Sequence, residues 1–311
     1  MTHRRIIAVL VVACAVAMLA ACASDDGGAG AAEGSPSVVA TTTQLGDFAR
    51  EVAGDRASVR QILSPNSDPH EYEPRPSDVR AVSSARVVLR SGGDLDEWLD
   101  DVLRNASSDA TTVTLIDAVR TRAGEGGVDP HWWQDPRNAA TAVQTVRDAF
   151  IAADPSGRST YAANTARYLT ELRALDRAIA ACVDQVPRPR RKLVTDHDAL
   201  GYYADRYAIQ VIGTVIPALS TRAQSSAGEV TRLVRTIRRE GVSTIFSESS
   251  ANPKLAKAIA HDAGAQLGPP LYADSLGPEG SKGATYLGAL RANTRALVAG
   301  FSGPRARCDQ L

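Results

Sequence analysis

Five histidines occur in the 311 residues, and three of them share a setting. His70 lies in Ser67-Asp68-Pro69-His70-Glu71-Tyr72-Glu73-Pro74, just beyond a strand-like run. His131 lies in Asp129-Pro130-His131-Trp132-Trp133-Gln134-Asp135-Pro136, at the entry to a helix, and His197 follows the strand-like Lys192–Thr195. Neutral imidazole is a common metal ligand. Three imidazoles and one carboxylate complete a donor set for Zn2+, at bonds of about 2.0–2.2 Å. Asp274, in Leu271-Tyr272-Ala273-Asp274-Ser275-Leu276, follows the last strand-like run and supplies that carboxylate. Such a set needs no open position for a reacting water, which favours capture of an ion over hydrolysis.

These four residues are far apart in the chain, so a fold must gather them. Strand-like Ser37–Thr41, Ser58–Leu63, Val87–Arg90 and Thr112–Leu115 alternate with helical Leu45–Ala53, Pro76–Ser83 and Trp98–Asn105. The second half repeats the scheme, with strands at Lys192–Thr195, Gln210–Val215, Thr244–Ser247 and Pro270–Tyr272. Helices at Gly201–Tyr207, Ala227–Glu240, Pro253–Ala263 and Thr285–Gly300 intervene. The order predicts an α/β fold of two lobes, each a mostly parallel sheet flanked by helices. Ligands of such sheets gather beyond the carboxyl ends of strands, where His70, His197 and Asp274 fall. Between the halves, Tyr161, Thr165, Tyr168, Leu172, Leu175, Ile179 and Val183 recur at helical spacing. They predict one helix from about Gly157 to Val183, roughly 40 Å long, that joins the lobes and limits hinge opening.

Lys plus Arg and Asp plus Glu both total 35. Zero net charge argues against nucleic-acid binding, which needs a basic surface to displace counterions. The first 22 residues pair Arg4 and Arg5 with an apolar run from Ile6 to Ala20. Fifteen residues span only about 22 Å as a helix, short for a bilayer core, so the run reads as an export signal. Leu19-Ala20-Ala21-Cys22 resembles a bacterial lipobox, with Cys22 as the acylated residue and the Gly- and Ser-rich stretch behind it a flexible tether.

Cys14 then leaves with the signal and Cys22 carries lipid. Cys182 and Cys308 remain in an oxidising compartment, where a disulfide is expected and two free thiols are the alternative.

The motifs DPHEYEP, DPHWWQDP, TDHDALGYYADRYAI, FSESSANPK and LYADSL resemble, in order and spacing, those of cluster A-I solute-binding proteins. These are the metal-capturing subunits of bacterial zinc and manganese ABC importers, and the similarity runs from Val38 to Phe301. The resemblance implies two α/β lobes joined by a rigid helix, and a metal held between them by His70, His131, His197 and Asp274. Its partners would be ABC permease and ATPase subunits, its location extracytoplasmic on a lipid anchor, and its state monomeric, with no enzymatic activity. The implied layout is a signal over 1–22, a tether over 23–37, an N-terminal lobe over 38–155, a linking helix over 156–185 and a C-terminal lobe over 190–311.

Zinc is the expected cargo, because manganese-selective members often place Glu where this chain has His197, and imidazole suits zinc better. Relatives with three His and one Asp also handle manganese, which stays the alternative. The His-rich loop of several zinc-specific relatives is absent here, where Thr121–Asp129 reads TRAGEGGVD.

Glu248 is placed to orient a ligand imidazole, a role such sites commonly need, or to bond its own loop. Trp133 is read as a wall that excludes water, or as ordinary core. Asp68, Asp129, Asp196 and Asp198 would support ligands or form turns, with turn formation favoured for the two that precede Pro. His261 sits within a helix and is read as structural. Rival functions are a secreted zinc hydrolase with Glu248 as base, which lacks a HExxH helix, and an adhesin with a structural metal.

Overall fold

The computed structural model describes residues 35–124, 127–302, 308, 310 and 311. The signal, Cys22 and all but the end of the tether lie outside the described residues. Among the described residues no helix is long and apolar enough to cross a membrane.

The N-terminal lobe is built on Ser37–Ala40 (β1), Ser58–Gln61 (β2), Val87–Arg90 (β3) and Thr111–Thr114 (β4), all parallel, in the order β2-β1-β3-β4. Parallel pairing requires crossovers, supplied by helices Thr43–Ala53 (α1), Pro76–Ser83 (α2) and Trp98–Ala106 (α3). Both faces of the sheet are covered. Val38, Ala40, Val87 and Leu89 enter one apolar cluster while Val39 and Val88 enter another, as the two-residue strand period dictates. Helix α1 starts two residues earlier than its apolar pattern, because Thr42 Oγ1 accepts the Leu45 N–H at 3.4 Å and caps it.

A short antiparallel pair, Ala123–Gly124 (β5) and Gly127–Val128 (β6), leads to the His131 loop. Helix Pro136–Ala153 (α4) follows, with Pro136 in its first turn and Asp135 accepting the Arg137 N–H at 2.9 Å. Helix Arg158–Val183 (α5) then joins the lobes; its 26 residues span about 39 Å. The seven positions at helical spacing are all buried.

In the C-terminal lobe Lys192–Thr195 (β7) pairs in parallel with Gln210–Thr214 (β8), and Thr244–Ile245 (β9) with Gln266–Leu267 (β10). The Phe246 N–H donates to the Val194 carbonyl at 3.0 Å, which sets the two pairs side by side. Helices Gly201–Tyr207 (α6), Ala227–Glu240 (α7), Lys254–Ala263 (α8) and Tyr286–Ser302 (α9) complete the lobe. The strand expected at Pro270–Tyr272 is instead β10, four residues upstream. Pro269 and Pro270 have no N–H to give a ladder, so only Leu271 re-enters, as an isolated bridge to Glu248.

One apolar cluster runs through both lobes, uniting Phe48 of α1, Tyr168 and Leu172 of α5, Tyr203 of α6 and Tyr286 of α9. Cys182, near the end of α5, lies sulfur to sulfur against Cys308, with Cα atoms 5.2 Å apart.

Candidate metal centre

Two of the histidines are presented by the same local device. Asp68 Oδ1 accepts the His70 N–H and Asp129 Oδ1 accepts the His131 N–H, each at 2.9 Å across an intervening proline. A carboxylate bonding the N–H two residues on closes a tight turn and fixes the backbone of the histidine. His197 leaves β7 on a loop tied by the Thr195 hydroxyl to the His197 carbonyl at 2.9 Å.

The three rings and Asp274 converge. His131 Nε2 lies 3.4 Å from His70 Nε2 and 3.3 Å from His197 Nε2. Asp274 Oδ2 is 3.4 Å from His70 Nε2 and 3.2 Å from His197 Nε2, and Oδ1 is 3.4 Å from His131 Nε2. All four residues are buried, and one donor atom from each falls within 4.8 Å of the others. A tetrahedron with bonds of 2.0–2.2 Å has edges of about 3.3–3.6 Å, so the donors stand where such an ion would hold them.

His131 Nδ1 faces Asp129 Oδ1 at 2.8 Å, and His197 Nδ1 faces Glu248 Oε1 at 2.6 Å. A carboxylate can only accept, so each Nδ1 carries a hydrogen, and each ring when neutral turns a lone pair at Nε2 inward. Neither oxygen of Asp274 has a hydrogen-bond donor in the same buried space. A cation there would satisfy the carboxylate and the inward nitrogens together.

Burial by itself drives the His197 imidazolium pKa down, but the charges of Glu248 and Asp274 overcome it and hold it well above 6.5. Burial would raise the Asp274 carboxyl, yet His197 and His131 keep it well below the usual range. Glu248 is pushed upward by burial, against the pull of His197.

Supports come from both lobes. The Ala273 carbonyl accepts from Trp133 Nε1 at 3.0 Å and from Gln134 Nε2 at 2.8 Å, and Gln44 Nε2 lies at 3.4 Å. Thr43 Oγ1 takes the Leu276 N–H at 2.8 Å. The Asp274 turn is thereby pinned to the N-terminal lobe. Trp133 is buried, with its ring edge-on to His131 at 5.6 Å between centroids. Asp196 Oδ2 accepts the Glu248 N–H at 2.7 Å, fixing the residue that steers His197. His261 is exposed beside Asp262, away from the cluster.

Sequence reasoning missed Arg122 and Tyr202. Arg122 Nη1 bonds Asp129 Oδ2 at 2.6 Å and its Nε bonds Asp205 Oδ2 at 3.0 Å, while Tyr202 Oη donates to the Asp129 carbonyl at 2.9 Å. A Cβ on Gly201 would collide with the Arg122 guanidinium, so a glycine opens the way. Burial alone would raise the Asp129 carboxyl, but His131 and Arg122 hold it below its ordinary range. Nothing in the local pattern around Arg122 marks it, since its partner on α6 lies some 80 residues on.

Comparison with known proteins adds independent findings. A family model described as zinc-uptake complex component A, periplasmic, matches residues 38–300. The manganese-binding lipoprotein MntA of Halalkalibacterium halodurans is 33% identical over 267 residues, 85% of this chain and 88% of that protein. The iron-binding protein YfeA of Yersinia pestis is 30% identical over 281 residues, 87% and 90% of the two chains. The periplasmic zinc binding protein TroA from Treponema pallidum superposes with a TM-score of 0.81 at 26% identity, over 86% of this chain and 99% of that one.

Proposed function

This chain belongs to the family of periplasmic component A of zinc-uptake complexes, and from that premise we propose that His70, His131, His197 and Asp274 bind Zn2+ as cargo. It is an extracytoplasmic metal-binding receptor of an ABC importer. The observation that carries the ligand assignment is the orphaned Asp274 carboxylate facing inward imidazole nitrogens at tetrahedral spacing. Affinity comes from moving a desolvated ion into a cage whose donors are already oriented by Asp129 and Glu248. Capture rather than chemistry follows from the donor count, because three imidazoles and a carboxylate fill the four positions zinc prefers. Handover proceeds to a permease and its ATPase, with the receptor held as a monomer at the membrane by acylated Cys22.

A manganese reading has its own support. Both Asp274 oxygens face the cage, so a carboxylate chelating through both would offer five donors to an ion that accepts more than four. Competition titration of the metal-stripped full chain decides between them. Zinc displacing manganese at equal concentration, together with slow growth of a deletion strain restored by added zinc, supports zinc. Preference for manganese, or growth restored by manganese alone, overturns it.

A further inference from the structure

Between β8 and α7 the chain does not return directly along the sheet. It runs beside the proposed metal centre and is tied to two loops that each carry a proposed ligand. At the start, the Ile216 N–H donates to the Asp196 carbonyl at 2.6 Å and the Asp198 N–H to the Ala218 carbonyl at 3.1 Å, gripping the His197 loop from either side. Farther on, Thr221 Oγ1 donates to Asp68 Oδ2 at 2.7 Å. Asp68 is the residue whose other oxygen closes the turn before His70. Leu219 lies against Gly124 of the N-terminal lobe, where a Cβ would come within 2.5 Å of its Cδ1.

We propose that Ile216–Ser225 is a strap across the mouth of the centre, latched by Thr221 on Asp68, and that this latch sets how fast the metal leaves. The proposal rests on the metal-binding reading above. Three features carry it. The latch joins a residue of the C-terminal lobe to the turn that positions His70 in the N-terminal lobe, so opening the lobes must break it. A cavity of about 250 Å3 is lined by Leu219, Ser220 and Arg222 of this segment together with His70, Gly93 and Pro130. Thr221 is a positioning residue and touches none of the four donors. Its hydroxyl loads one oxygen of Asp68 while the His70 N–H loads the other, so losing it frees both the strap and the turn.

The test uses the full chain carrying Thr221→Val, which keeps the shape and removes the donor, and Thr221→Ser, which keeps the donor. Each is loaded with zinc and chased with excess chelator. The expected result is dissociation about tenfold faster for Thr221→Val, with near wild-type rates for Thr221→Ser, and metal-free melting temperatures within a few degrees of wild type. Wild-type rates for Thr221→Val overturn the latch. Equal acceleration in both variants also overturns it, since the hydroxyl would then not be the operative group. If Thr221→Val melts well below wild type, the same comparison is made with Leu219→Ala, which removes the apolar half of the fastening; an unchanged rate there overturns the strap. Failure of the underlying reading is distinct, because wild-type protein would then bind neither zinc nor manganese.

Discussion

Glu248 Oε1 lies 2.6 Å from His197 Nδ1, on the side of the ring opposite to the nitrogen that meets Asp274. The carboxylate is buried and its other oxygen has no partner, so its task in the metal-free protein is confined to this one contact. Once metal binding leaves the ring neutral, the same contact fixes the tautomer, aims the lone pair and makes the nitrogen a better donor. Glu248→Gln is isosteric and leaves the backbone N–H at 248 free to donate to Asp196 Oδ2 as before. Zinc affinity is expected to fall about 10–100-fold, with folding little changed, as read by competition against a fluorescent chelator. Unaltered affinity would remove Glu248 from the site.

Metal binding should release a proton. Glu248 and Asp274 hold the His197 imidazolium pKa well above 6.5 in the metal-free cage, and a coordinating ring must be neutral. The proton is bound without metal and lost with it, so affinity rises with pH until His197 is neutral in the metal-free form. Below that point each unit of pH lost weakens binding by up to about tenfold per proton displaced. Titration calorimetry in buffers of different ionisation enthalpy at pH 6–8 counts the protons. No buffer dependence over that range would contradict the prediction.

Cys182 and Cys308 close a loop with a sequence separation of 126. Chain-entropy arguments give such a cross-link up to about 5 kcal/mol, so reduction, or Cys308→Ser, should lower the melting temperature clearly. The proposed metal ligands lie elsewhere, and zinc affinity at 25 °C should survive. A melting temperature indifferent to reductant would indicate two free thiols.

Asp47 offers a stability test independent of metal. Burial pushes its carboxyl up to about 6, against the Tyr286 N–H that donates to it at 3.0 Å. The unfolded chain ionises this group near 3.8, whereas the folded chain retains the proton to about 6. The unfolded state therefore binds fewer protons in that window, and this group's contribution to stability falls as pH rises from about 4 to 6. Asp47→Asn removes the penalty, and urea unfolding should find it more stable than wild type at pH 7 but not at pH 4. Parallel pH profiles for the two proteins would refute the assignment.

Much of this arrangement was legible in the sequence for physical reasons. The seven-residue face of α5 follows from helical periodicity over seven turns, and alternating β1 and β3 residues follow from burial on both faces. The four proposed metal donors were nominated from chemistry and topology, since His70, His197 and Asp274 fall beyond strand ends in an α/β chain, and the fold does bring them together. The repeated Asp-Pro-His was readable as a turn, and Asp68 and Asp129 do close turns, but the further contact of Asp129 with the His131 ring needed three dimensions. The late strand was misplaced because Leu271 and Tyr272 supply apolar character while Pro269 and Pro270 withhold donors. Thr221 was invisible because Asp68 is brought to it only by the packing of one lobe against the other, and Arg122 because, although Asp129 lies across the nearby β5–β6 pair, Asp205 reaches it from the other lobe.

Anomalous diffraction from crystals of the zinc-loaded full chain locates the ion itself. The expected result is one strong peak per chain, about 2.0–2.2 Å from Nε2 of His70, His131 and His197 and from an oxygen of Asp274. A peak bound by fewer than three of those rings, or an ion held elsewhere while this cage stays vacant, would contradict it.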